Sequence, residues 1–167
     1  MILKRILAYL LDYIIIIAYA GILFLLTLVI HHISDKPIIT QDPITGNVIS
    51  FFTLTLPVFL YFYFYESSSK NGTLGKQKLK IRVINNTKRN VFIRVLLKIL
   101  PWEIAHFAVH WSVYYSNKNI DTPLWVWVLL ILPQIIVLIY FMSVLLSRGT
   151  SSIYDRIANT GIQESSL

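Results

Sequence analysis

The sequence contains no cysteine, which excludes disulfides and cysteine-based metal or redox chemistry. It is also short of charge. Only 14% of its 167 residues are Asp, Glu, Lys or Arg, against about a quarter in soluble domains. Acidic residues are the scarcer sign, 8 against 15 Lys and Arg, which leaves a formal charge of +7. What is abundant is apolar: 56% of the chain is hydrophobic and mean hydropathy is +0.64. Too little polar surface remains to face water. The class is an integral membrane protein, an all-α polytopic helical bundle forming one domain over residues 1–167. The positive balance does not point to nucleic acid, because no recognition motif accompanies it. In a membrane protein, Lys and Arg mark cytoplasmic loops and contacts with anionic headgroups.

A helix needs about twenty apolar residues to cross the hydrocarbon core. Residues 6–30 and 124–146 meet that length, and 48–65 is shorter but free of charge, with Pro57 as a kink. The fourth segment, 91–115, contains Arg94, Lys98, Glu103, His106 and His110. It reads either as an amphipathic helix on the membrane surface or as a polar span inside a bundle. If it spans, the side holding both termini carries eleven Lys and Arg and the other side two, Lys36 and Lys118. That asymmetry favours four spans with both termini cytoplasmic in the cell membrane. The first segment is too long for a signal-peptide core and no cleavage site follows it. Residues 31–47 read as an outer loop rich in turn formers. In the inner loop, apolar and basic residues alternate over 78–84, a period-two strand pattern. Asn85 and Asn86 then offer a turn, so a short hairpin at headgroup level is one reading and a solvated basic loop the other.

Asp12 is the costly residue, since a carboxylate inside a span must be compensated. Arg5 lies seven positions earlier on the same helix face but about 10 Å away along the axis. Arg94 and Lys98 share a face of segment three at comparable depth, and a contact from either to Asp12 offsets desolvation on both sides. Asp12 is then either a packing pin or an ion-responsive carboxylate. Asp155 follows the last span by about nine residues, and a tail folded back under the bundle pairs it with Arg5, unless the two form only an exposed surface pair. Glu103, His106 and His110 fall at i, i+3 and i+7 on one face. A carboxylate-bridged metal site needs matching ligands from other helices, which the remaining spans do not supply. The stripe reads instead as the lining of a hydrated cleft or an interior hydrogen-bonding face. The loop GTLGKQ has the wrong spacing for a phosphate loop, with Gln77 where Ser or Thr belongs.

The stretches KRILAYLLDYIII, ESSSKNGTLGKQKLKIRVI and SRGTSSIYDRIANTGI together resemble the RDD family of bacterial and archaeal membrane proteins. Its defining arginine and two aspartates fall on Arg5, Asp12 and Asp155, and its glycine-lysine loop on Gly72, Gly75 and Lys76. The resemblance implies a multi-pass membrane protein, with transport suggested and cation/proton antiport attributed to some members. Two functions follow as expectations. One is a small transporter that exchanges a monovalent cation for protons, with Asp12, Arg94, Lys98, Glu103, His106 and His110 along its route. Four helices seldom enclose a gated path, so this reading requires a homo-oligomer. The other is a scaffold that assists a partner membrane protein. No nucleophile–base constellation suggests an enzyme, and neither reading calls for a cofactor.

Overall fold

The computed structural model describes residues 1–34 and 42–165. Its elements are α1 (Ile2–Ser34), α2 (Pro43–Ser50), a π-helical turn (Phe51–Thr55), α3 (Leu56–Ser67) and α4 (Leu74–Lys78). They continue with β1 (Ile81–Ile84), α5 (Lys88–Asn117), α6 (Leu124–Leu146), α7 (Ile153–Ile157) and β2 (Gly161–Glu164). Among the described residues, three segments are long and apolar enough to cross a membrane: Ile2–Ile33, Pro43–Ser67 and Leu124–Leu146. The protein is mostly helical, as its composition implies.

The helices outrun the apolar runs that announce them. The segment expected over 48–65 starts at Pro43, because Asp42 caps it by accepting from the Thr45 N–H at 2.8 Å and proline suits a first helical turn. The expected outer loop over 31–47 is thereby shortened from both ends. Its residues 35–41, Lys36 included, lie outside the described residues. Thr87 caps α5 through the Asn90 N–H at 3.3 Å, so that helix begins three residues before the expected Val91.

Prolines organise the helix contacts. Pro57 has no N–H for the carbonyl four residues earlier, that of Thr53. The chain widens into the π-helical turn just before it, and the Tyr19 hydroxyl of α1 donates to the Thr53 carbonyl at 2.6 Å. Pro101 frees the Leu97 carbonyl of α5 in the same way, and there the Tyr140 hydroxyl of α6 donates at 3.3 Å. Each freed carbonyl meets a tyrosine from the neighbouring helix. This is how a membrane helix tolerates proline: another helix satisfies the exposed acceptor.

Polar and aromatic contacts also set the register of α5. Arg94 meets Glu66, Glu103 meets Thr55 and His110 meets Ser50, at 2.7, 2.6 and 3.1 Å. The partner numbers fall as the α5 numbers rise, so α5 runs antiparallel to the α2–α3 rod. On its other flank Leu97 meets Tyr140, and the rings of Trp111 and Trp125 meet edge to face at 5.3 Å. α5 is therefore antiparallel to α6 as well.

The inner loop departs from the hairpin reading. Lys78 ends α4, and only Ile81–Ile84 is extended. Its partner is not the neighbouring chain but the tail: Ile81 faces Glu164, Val83 faces Ile162 and Ile84 faces Gly161, antiparallel. The alternation itself is real. Ile81 and Val83 are buried with Ala8 and Ile162, while Lys78 and Lys80 are exposed.

Candidate functional site

Arg5 and Tyr9 stand one turn apart on α1, Glu66 closes α3, Lys76 lies in α4, Arg94 and Lys98 stand one turn apart on α5, and Tyr154 and Asp155 lie in α7. They meet at the basic end of the bundle. The Arg5 guanidinium donates to Asp155 Oδ2 at 2.6 Å and to the Gly149 carbonyl at 3.2 Å. Asp155 Oδ1 accepts from Arg94 Nη1. Arg94 Nε donates to Glu66 Oε2 at 2.7 Å, and Lys76 Nζ donates to Glu66 Oε1 at 2.6 Å. The result is an alternating chain, Arg5–Asp155–Arg94–Glu66–Lys76, with every side chain fully buried. A buried carboxylate or cation is costly unless it is both paired and hydrogen-bonded, and each link in this chain is both.

Local structure prepares the links. Ser152 and Asp155 form a reciprocal capping box, with the Ser152 N–H donating to Asp155 Oδ2 at 2.7 Å. The carboxylate that binds two arginines is thus also held in place by local hydrogen bonds at the start of α7. Gly149 ends the turn after α6 at φ +86°, and a Cβ there would fall 2.7 Å from the Ile2 backbone nitrogen. Only glycine lets the chain pass that close to the start of α1. Asn159 follows α7 at φ 53°, a left-handed position that asparagine tolerates better than most residues.

Asp12 departs from its expected contact. Arg94 is engaged by Glu66 and Asp155, and among the described residues Asp12 forms no ion pair with Arg94 or Lys98. It is compensated by hydrogen bonds instead. Tyr61 donates to Oδ1 at 2.8 Å, the Gly75 N–H donates to Oδ1 at 3.0 Å, and Thr73 donates to Oδ2 at 2.6 Å. Three donors meet one carboxylate, and these hydrogen bonds compensate its burial. They also clamp α4 against α1. A Cβ on Gly75 would stand 2.2 Å from the Ala8 carbonyl oxygen, so this glycine is required by close approach. Gly72 sits nearby, where an added Cβ would lie 3.0 Å from the Lys76 Cβ.

Of the four cations Arg5, Lys76, Arg94 and Lys98, Lys98 alone touches no carboxylate among the described residues. Its Nζ is buried without a hydrogen-bond partner among the described residues and lies 3.2 Å from the centre of the Phe62 ring and 5.2 Å from that of Tyr9. Tyr154 lies among these cations, its hydroxyl accepting from Arg5 and its ring facing Arg94. Burial alone would raise that phenol, but Arg5, Arg94 and Lys98 outweigh burial and hold it down to about 7. Its hydroxyl is hydrogen-bonded to that of Tyr9.

Two of the recesses that flank α1 are lined by Lys98. The larger, about 320 Å³, lies between α1, α3 and α5 and is lined by Asp12, Ile16, Val58, Phe62, Lys98 and Trp102 among others. The second, about 250 Å³, lies between α1, α5 and α6 and shares Tyr9, Tyr13 and Lys98 with the first. Further along α5, Glu103 accepts from Thr55 at 2.6 Å, and His110 is hydrogen-bonded to Ser50 at 3.1 Å. The His106 and His110 rings stack at 5.1 Å. This stripe binds α5 to the α2–α3 rod.

Sequence reasoning overlooked Glu66, Thr73, Tyr61 and Tyr154. Glu66 had a detectable signal. Arg94, Lys98 and Lys76 needed carboxylates at one end of the bundle, and Glu66 is the acidic residue that ends the second apolar run at that level. The Tyr and Thr donors to Asp12 carry no signal among ten tyrosines.

Comparison with known protein families matches residues 1–159 to the RDD family. Neither the curated proteins nor the solved structures give a significant match. The chain belongs to the RDD family. Arg5, Asp12 and Asp155, which carry the resemblance, are all buried at the basic end: Arg5 and Asp155 in the ion-pair chain, Asp12 in the clamp on α4.

Proposed function

We propose that this RDD-family chain is a four-span protein of the cell membrane with both termini cytoplasmic, and that it acts as a structural member of a membrane assembly, made of its own copies or of a partner protein. The fourth span is α5. Its antiparallel contacts run along both the α2–α3 rod and α6, from Arg94 to His110 on one side and from Leu97 to Trp111 on the other. A helix flanked that far by two membrane-length neighbours shares their slab, and its charges face protein rather than lipid. The basic end, with exposed Lys70, Lys78, Lys80, Lys88 and Arg89, then meets anionic headgroups on the cytoplasmic side.

The observation that carries the structural reading over proton-coupled cation exchange is the engagement of Asp12 by three donors. Its three donors come from α3, from the turn before α4 and from α4 itself. An ion exchanging at this carboxylate would have to break the clamp that holds α4. The family signature thus serves to close one end of the bundle.

Two measurements test the reading. Cysteine at Lys118 reacts with an impermeant maleimide added outside cells, and cysteine at Lys80 does not; the reverse pattern overturns the orientation, and protection at both removes α5 as a span. Protein in liposomes with a pH gradient shows no cation-dependent proton movement traceable to Asp12. Flux that disappears in a folded Asp12→Asn variant establishes exchange and sinks the structural assignment.

A further inference from the structure

The lysine and arginine head groups buried at the basic end outnumber the buried carboxylates. Arg5, Lys76, Arg94 and Lys98 supply four cations, and Asp12, Glu66 and Asp155 supply three carboxylates. Three of the four cations touch a carboxylate. The fourth, Lys98, has its Nζ against the Phe62 ring. The same side chain lines two of the recesses beside α1. Below it the larger recess is walled by apolar side chains, Ile16, Ile17, Leu54 and Val58 among them. Tyr13 and Ile17 on its rim are 56% and 67% exposed, so it opens on the outer flank of α1. At about 320 Å³ it is at the small end of ligand pockets, about 300–1,000 Å³, which suits one aliphatic chain rather than two.

We infer that the recess between α1, α3 and α5 binds a single-chain amphiphile with an anionic head, the chain lying along Ile16 and Val58 and the head meeting Lys98. This rests on the four-span reading, which puts the rim of the recess within the lipid phase. Lysine has a flexible stem and three donors, so Nζ turns from the Phe62 ring toward the head when the chain enters. A charge-assisted hydrogen bond then replaces the cation–π contact, and the unmatched buried charge is neutralised. Asp12, although it lines the recess, does not oppose the head strongly, because its three donors already disperse its charge.

The test uses palmitic acid carrying a chain diazirine, photolysed with the intact protein in lipid nanodiscs, with labelled residues mapped by mass spectrometry. Labelling is expected at recess residues such as Ile16, Val58 and Trp102. Competition there by palmitate or by lysophosphatidic acid, but not by hexadecanol, supports the site, and the better competitor identifies a carboxylate or a phosphate head. Lys98→Met, which removes an unmatched buried cation and should keep the fold, is expected to lower the labelling at least about tenfold, while Lys98→Arg retains it. Equal competition by hexadecanol, or labelling undiminished in a folded Lys98→Met variant, overturns the inference. Should Lys98→Met fail to fold, the competition in the wild-type protein decides alone. The cysteine labelling at Lys118 and Lys80 is independent of this result, so failure here leaves the span assignment standing.

Discussion

Asp155 and Glu66, at the basic end, each bind two cations, whereas the acid further along α5, Glu103, meets one threonine hydroxyl. The same contrast separates two residues a single turn apart: Arg94 bridges two carboxylates, and Lys98 rests on a ring. The difference teaches where the fold is determined. At the basic end five chain segments converge (α1, α3, α4, α5 and α7), and the alternating charges hold them only as a set. In the middle of the bundle the helices are joined pairwise by single hydrogen bonds, and recesses remain beside α1. One region is locked and the other can accommodate a guest.

The strongest way to break this contrast is at Asp155. Asp155→Ala leaves Arg5 and Arg94 buried without that partner and removes the carboxylate half of the capping box of α7. A loss of about 3–5 kcal/mol is expected, read as a large drop in thermal midpoint in detergent or nanodiscs. Exchanging charges as Arg5→Asp with Asp155→Arg does not restore it, because the new arginine confronts Arg94. A double variant as stable as the wild type would show that Arg94 does not share the carboxylate.

Gly75→Ala comes next. Its Cβ would enter the Ala8 carbonyl, forcing α4 away from α1 at about 1–3 kcal/mol. Faster proteolysis between Ser67 and Lys80 is the accompanying sign. An unchanged digestion pattern would mean that the clamp on Asp12 is not rigid.

Asp12→Asn keeps the shape but replaces one of the two acceptor oxygens by an NH2 group. Tyr61 and the Gly75 N–H keep a weaker acceptor while Thr73 must turn its hydroxyl to accept from the amide NH2, and a loss of about 1–2 kcal/mol is expected. A loss as large as that of Asp155→Ala would show that Asp12 belongs to the ion-pair chain after all.

Tyr19→Phe sharpens the comparison from the loosely joined side. It removes the donor to the Thr53 carbonyl freed by Pro57, worth about 1 kcal/mol. A larger effect would place a second point of convergence at the π-helical turn.

Much of this architecture was legible in the sequence, but by rules of different reach. The apolar runs located three membrane-length helices, since hydrocarbon thickness and helix rise leave little freedom in length. Charge asymmetry favoured one side for Arg5 and Asp155, and the structure joins them. The alternation over 78–84 revealed which residues of the inner loop face the core, because strand periodicity is local. It did not reveal the partner strand, which lies about eighty residues away in the tail.

Pairing of the buried charges was beyond the sequence for the same reason. Depth along a helix ranked Arg94 and Lys98 as partners for Asp12, yet depth is one coordinate, and contact depends also on which helices adjoin and which way each is turned. Four cations and three carboxylates at one level allow many pairings of nearly equal Coulomb energy. Packing chose among them: Gly75 let α4 come close enough to satisfy Asp12 with neutral donors, and this left Arg94 to Glu66 and Asp155. Composition and periodicity thus determined that this is a membrane helical protein with its charge gathered at one end. Only the tertiary structure decided which charges meet, because an ion pair needs side chains from separate segments within about 4 Å, and that distance is set by how helices pack.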